Sequence, residues 1–158
     1  MDKVIIANRE NTPARHEERG AYTFNKQLIV PKRAENQCTV AIMEIPPRKA
    51  AFPYHYHMNI TEVFYIISGH GCLETPDGEK AVSAGDVLVF PRGENGAHRL
   101  WNASDTAPLV YLDCDTTVTA DVAFYPHSRK AGLILEEQSS TFFPLTGAVD
   151  YYRDDPDA

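Results

Sequence analysis

Turn residues interrupt this chain so often that long helices have little room to form. Eleven prolines and nine glycines separate short runs rich in Val, Ile, Phe, Tyr and Thr. The runs are Cys38–Ile45, Thr61–Ser68, Asp86–Phe90, Ala97–Asn102, Pro108–Asp113, Val122–Tyr125 and Gly132–Glu136. Between them lie SGHG, TPDGEK, PRGENG, NASDTAP and PHSRKAG. Short β-prone runs at this spacing predict an all-β sandwich or barrel. TPDGEK predicts a hairpin, with Asp77-Gly78 supplying the positive φ. Thr12 to Gly20 offers at most one helical turn, with charge on every side.

One domain is expected over residues 1–158, because no linker or repeat divides the chain. Its core is expected over about 20–136, flanked by an N-terminal arm (1–19) and an acidic C-terminal arm (137–158). Side chains alternate along a strand. Glu62, Phe64 and Ile66 therefore share one face of their run, and Val63, Tyr65 and Ile67 the other. Both faces are apolar, so the second face also needs a cover, and a homodimer is expected.

Charge and cysteine usage remove several classes of function. The formal charge of −7 comes with no block of Lys and Arg, a poor basis for gripping nucleic acid. No apolar run reaches the length of a membrane span. The first twenty residues lack the apolar stretch and cleavage site of a secretory signal, so a cytoplasmic location is expected. Cys38, Cys72 and Cys114 are odd in number and far apart. They are read as reduced thiols rather than a disulfide framework or a zinc ribbon.

The most informative segment is FPYHYHMNITEVFYIISGHG. His55 and His57, two apart on a strand, project from one face and can ligate one metal ion. Glu62 follows after a break long enough for a turn and opens a strand that can run beside the first. In GDVLVFPRGENGAHRLWN, His98 follows a Pro-Gly-rich turn and shares a face with Leu100 and Asn102. Three imidazoles and one carboxylate leave coordination positions open, the mark of a catalytic rather than a structural metal site.

These residues resemble the cupin superfamily. Its first motif is matched at His55, His57, Glu62 and Gly69, with Lys49 where a leading Gly is expected. Its second motif is matched at Gly85, Pro91, Gly93, His98 and Asn102, with a longer turn before His98. The resemblance spans roughly Lys49 to Asn102. It implies a single-domain jelly-roll β-barrel in which His55, His57, Glu62 and His98 bind a divalent metal (Zn, Mn, Fe or Ni). The flanking segments resemble single-domain cupins described as sugar-phosphate isomerases, a label that itself rests on resemblance.

The remaining candidates are weighed against plain roles. His16, His70 and His127 lack a partner at metal spacing and are read as surface residues. Phe64 is the expected wall of a substrate pocket, with Asn102, Arg48 and Arg92 as further pocket candidates. The leading expectation is a metal-dependent isomerase or epimerase of a small sugar or sugar phosphate, with Glu62 as the candidate catalytic base if its metal bond is loose, and a tyrosine or a metal-bound hydroxide otherwise. The alternatives are a metal-dependent dioxygenase and a non-catalytic small-ligand binder. No Gly-rich phosphate cradle and no Ser/His/Asp arrangement is present.

Overall fold

The computed structural model describes residues 3–33, 35–136 and 139–157. In chain order its strands begin with β1 (Arg15–Arg19), β2 (Tyr22–Val30), β3 (Cys38–Ile45), β4 (Tyr56–His57), β5 (Glu62–Ser68) and β6 (His70–Thr75). They continue with β7 (Gly78–Ser83), β8 (Val87–Phe90), β9 (Arg99–Asn102), β10 (Leu109–Thr116), β11 (Ala120–Tyr125), β12 (Lys130–Leu135) and β13 (Thr141–Pro144). No α-helix occurs among the described residues, and no helix is long and apolar enough to cross a membrane.

One wall is a six-stranded sheet in the order β1-β2-β3-β10-β5-β8. The opposite wall has two parts, β13-β12-β11-β4 and β7-β6-β9. These parts meet where His55 and His98 face each other across an isolated antiparallel bridge. There the His55 N–H donates to the His98 carbonyl (3.1 Å), and the His98 N–H donates to the His55 carbonyl (2.9 Å). The seam of the second wall thus coincides with two of the expected metal ligands.

Alternation sorts the side chains between the walls. In β3, Thr39, Ala41, Met43 and Ile45 are buried while the residues between them are not. With Phe64, Ile66, Leu73, Val82, Phe90, Leu100, Leu109 and Tyr111 they build the core between the sheets. The outer face of β5 and β8 stays apolar and open: Tyr65 is 45%, Val87 61% and Val89 59% exposed.

Three local expectations change. Residues within Thr12 to Gly20 form β1, paired antiparallel with β2, rather than a helical turn. Charge on every side is no obstacle on an edge strand, where it discourages pairing with other chains. In the TPDGEK hairpin, Thr75 pairs with Gly78, so Pro76-Asp77 is the loop and only Gly78 takes positive φ (101°). Proline fixes φ near −65°, which suits it to the first loop position. His70 opens β6 rather than lying in a turn. Within the segment expected as a C-terminal arm, β13 pairs with β12. The arm's first two residues, 137 and 138, lie outside the described residues.

Candidate metal centre

Each of the four expected ligands comes from a different local device. His55 precedes β4 and His57 ends it, so both imidazoles leave the same side of that short strand. Glu62 is the first residue of β5 and reaches across from the opposite sheet. His98 follows a single 3-10 turn over Glu94–Gly96, which accommodates the longer loop before it. That turn depends on Gly96, where an added Cβ would lie 1.8 Å from the Pro91 carbonyl oxygen.

Ring orientation is set by the Nδ1 atoms. His55 Nδ1 lies 2.8 Å from the Pro53 carbonyl, and His98 Nδ1 lies 2.9 Å from the Gly96 carbonyl. A carbonyl only accepts, so both Nδ1 atoms carry the proton and both Nε2 atoms present lone pairs. His57 Nδ1 donates to Asp121 Oδ2 at 2.5 Å, with the same consequence. The Asp121 side chain also accepts from the Asn59 backbone N–H at 2.9 Å. Fixing the tautomer through the far nitrogen is how proteins orient metal-binding imidazoles.

The three Nε2 atoms converge on the Glu62 carboxylate, at 4.0 Å for His55, 3.7 Å for His57 and 3.5 Å for His98. The ligand atoms of His55, Glu62 and His98 all lie within 4.8 Å of one another. His57 joins this trio through Glu62. With Glu62 ionised and the imidazoles neutral, the cluster consists of lone pairs and negative charge. Burial pushes the Glu62 carboxyl up to about 7, with Asp113 adding to the rise and His57 opposing it. Burial lowers His55 to about 4 and His98 well below its ordinary value. Burial would also lower His57, but the Asp121 hydrogen bond and the charge of Glu62 outweigh it and raise that pKa. A divalent cation would relieve the conflict by binding deprotonated donors, and His55, Glu62 and His98 form a trio close enough to hold one, with His57 beside it. The residues fit such an ion.

The site opens on one side only. His98, His55 and Glu62 are 2%, 6% and 8% exposed. Behind them, bounded by Phe64, Tyr111 and Phe52, the residual space is about 10 Å³, at the limit for a single water. On the His57 side a cavity of about 830 Å³ is lined by Lys26, Leu28, Lys32, Thr39, Ile60, Asp115 and Ile134 together with Pro13, Ala14 and Arg15.

The other expected residues lie elsewhere. Phe64 is 3% exposed and packs against Phe90, His98 and Tyr111, which makes it the floor beneath the ligands and not a wall of the large cavity. Asn102 is fully buried, and its side chain ties together the Ile45 and Ala107 carbonyls and the Ser104 N–H. Arg48 pairs with Asp105 at the surface (2.5 Å), and Arg92 is exposed. Neither lines the large cavity. Of the histidines read as surface residues, His127 stacks on Tyr54 and bonds Glu74, and His16 bonds Asn25. All three cysteines are free thiols.

Sequence reading missed Asp121, Lys32 and the pair Asp113 and Asp115. The aspartate pair was visible in VYLDCD, where alternation puts Tyr111, Asp113 and Asp115 on one face. Burial, followed by the neighbouring Asp113, pushes the Asp115 carboxyl well up from its ordinary range. Asp121 and Lys32 carried no local pattern that pointed to the site.

Comparison with known proteins agrees with this geometry. The family model described as the cupin domain matches residues 41–115. These residues are a cupin domain. The matched span runs from β3 through β10 and contains all four candidate ligands. Solved structures extend the likeness to nearly the whole chain. A protein of Acidithiobacillus ferrooxidans, provisionally named a sugar phosphate isomerase, is 19% identical with a TM-score of 0.77, covering 92% of this chain and 95% of its own. A sugar phosphate isomerase from a cupin superfamily of Silicibacter pomeroyi is 20% identical with a TM-score of 0.75, covering 89% and 93%. A predicted oxalate decarboxylase of Thermotoga maritima is 22% identical with a TM-score of 0.63, covering 73% and 100%. At these identities the likeness shows the cupin double-stranded β-helix fold. No curated protein matches the chain in sequence.

Proposed function

We propose that this cupin is a metal-dependent enzyme that isomerises or epimerises a small sugar or sugar phosphate. The observation that carries the reading is the convergence of three Nε2 atoms on a buried carboxylate beside a large cavity that His57 lines. The fold alone does not choose a reaction, since similar structures bear names as different as isomerase and oxalate decarboxylase. The cavity discriminates better. Its volume of about 830 Å³ far exceeds the needs of a two-carbon dicarboxylate, and its mixed apolar and cationic lining suits a larger polar ligand.

His55, His57, Glu62 and His98 would hold the ion. A divalent metal supplies Lewis-acid polarisation of a substrate carbonyl and the adjacent hydroxyl. Glu62 is the proton acceptor in this reading, its buried carboxylate lying 3.7 Å from the cavity-side His57. His57 orients the reacting end at the cavity side, held by Asp121. The packed floor of Phe64, Phe90 and Tyr111 excludes water from the far side of the ligands. The two lysines of the lining carry charge suited to an anionic substrate group.

The test is solvent exchange. Manganese- or zinc-loaded protein is incubated under argon in deuterium oxide with aldose and ketose phosphates. The expected result is metal-dependent deuterium uptake at the carbon beside the carbonyl, absent in His98→Ala. Full metal loading with no exchange across the panel overturns the isomerase reading. Turnover that requires iron and consumes oxygen replaces it with the oxygenase alternative, and binding without turnover replaces it with a ligand-binding role.

A further inference from the structure

Lys32 is an unusual lysine. It lies two residues beyond the end of β2, in a loop pinned from within. The Asn36 side chain donates to the Pro31 carbonyl (2.9 Å), and the Asn36 N–H donates to the Arg33 carbonyl (2.9 Å). Asn36 itself is 4% exposed, so that residue is held against the body of the protein. The Lys32 ammonium is buried and has no hydrogen-bond partner. Desolvation by burial lowers its pKa. A buried, unpaired cation is costly, and lysines ordinarily avoid it by snorkelling to water.

The other cations of the cavity are engaged. Lys26 pairs with Asp113 at 3.4 Å, and Arg15 pairs with Glu17 at 3.4 Å. Three carboxyl groups act on Lys32 from a distance: Asp121, Asp115 and Glu136. Asp121 already accepts from His57 and from the Asn59 N–H. None of the three is hydrogen-bonded to Lys32, whose ammonium is left without a bonded acceptor on the wall of the cavity that reaches His57.

We propose that Lys32 anchors an oxyanion of the substrate, a phosphate or a carboxylate, on the cavity wall near the metal centre. This deepens the proposed function, since it places the reacting end of the same molecule at His57. Lys32 and the metal centre then hold two groups of one ligand. Pro13, Leu28, Ile60 and Ile134 supply apolar lining in the same cavity. The oxyanion restores the missing partner and turns the desolvation cost of the ammonium into a preference for charged over neutral ligands.

Calorimetric titration of the full chain tests this, with glucuronate, glucose and the phosphate monoester of glucose as probes. Each titration is run on manganese-loaded and on chelator-treated protein. Wild type is expected to bind at least one anionic probe about tenfold or more tightly than glucose. Which anion wins separates a phosphate from a carboxylate site. Lys32→Met is expected to erase the preference while retaining manganese, and Lys32→Arg to restore part of it. Equal affinity for glucose and both anions overturns the assignment. So does unchanged anion affinity in both Lys32→Met and Lys32→Gln, and so does failure of both anions to bind at millimolar concentration. A Lys32-dependent preference in protein that never takes up manganese keeps this assignment and sinks the metal reading. Stoichiometric manganese with no Lys32 effect does the reverse.

Discussion

Asp121→Asn is the most revealing single change. Asp121 is 1% exposed and accepts two hydrogen bonds, one from His57 Nδ1 and one from the Asn59 N–H. Asparagine has one accepting oxygen and one donating nitrogen, so it can serve only one of these donors. If its oxygen takes the Asn59 N–H, its amide faces His57 Nδ1 and forces the proton onto Nε2. That tautomer cannot ligate. If its oxygen takes His57 instead, a buried backbone N–H loses its partner. Loss of a partner that orients a metal ligand weakens metal binding by about 10- to 100-fold, or about 1.4–2.7 kcal/mol. The lost charged hydrogen bond should cost about 1–3 kcal/mol of folding stability. For a chain of this size that lowers Tm by roughly 2–12 °C, so the variant stays folded at room temperature. Competition with a metallochromic dye gives the affinity, and circular dichroism confirms folding. Metal affinity within twofold of wild type would refute the tautomer argument, because nothing else in the geometry compensates for the lost acceptor.

Other outcomes follow from the same geometry. His57→Ala and His98→Ala should each lose stoichiometric metal by elemental analysis, and full retention in both would remove the site assignment. Metal affinity should rise with pH through neutrality. His55 and His98 are already neutral there because burial lowers them, whereas Glu62, raised to about 7 by burial, and His57, also raised, must shed protons. The expected slope is about tenfold per pH unit for each proton displaced, and a flat profile contradicts the cluster's electrostatics. Phe64→Ala should cost about 3–5 kcal/mol in urea unfolding, as large aromatic truncations in cores do; a loss below about 1 kcal/mol would mean that the floor of the site is not packed. Gly96→Ala should destabilise by about 3 kcal/mol, since the new methyl meets backbone rather than a yielding side chain. Sedimentation equilibrium should find twice the chain mass if a second copy covers Tyr65, Val87 and Val89, and a monomer at micromolar concentration rejects that expectation.

Much of the centre could be read from local spacing. H-x-H on a strand puts two imidazoles on one side because the strand repeat is two residues. Glu62 and His98 were recognisable because each begins or precedes a short β-run after a turn. The second partner of each side chain was not recognisable. Asp121 sits 64 residues from His57, and the Lys32 loop joins the cavity through pairing of strands far apart in sequence. The cations chosen by proximity to the motifs, Arg48 and Arg92, lie away from the large cavity, because nearness along a chain does not fix which side of a barrel a loop reaches.

Residue order by itself determined the alternating β-runs, the places where turns must fall and the types of donor available to an ion. These are properties of a few neighbouring residues and obey local stereochemistry. Folding in three dimensions decided which wall each donor faces, which nitrogen of each imidazole bears the proton, and which lysine is left buried without an acceptor. Those outcomes depend on hydrogen-bond partners and on solvent exclusion contributed by distant strands, and no short window of sequence contains both halves of such a contact.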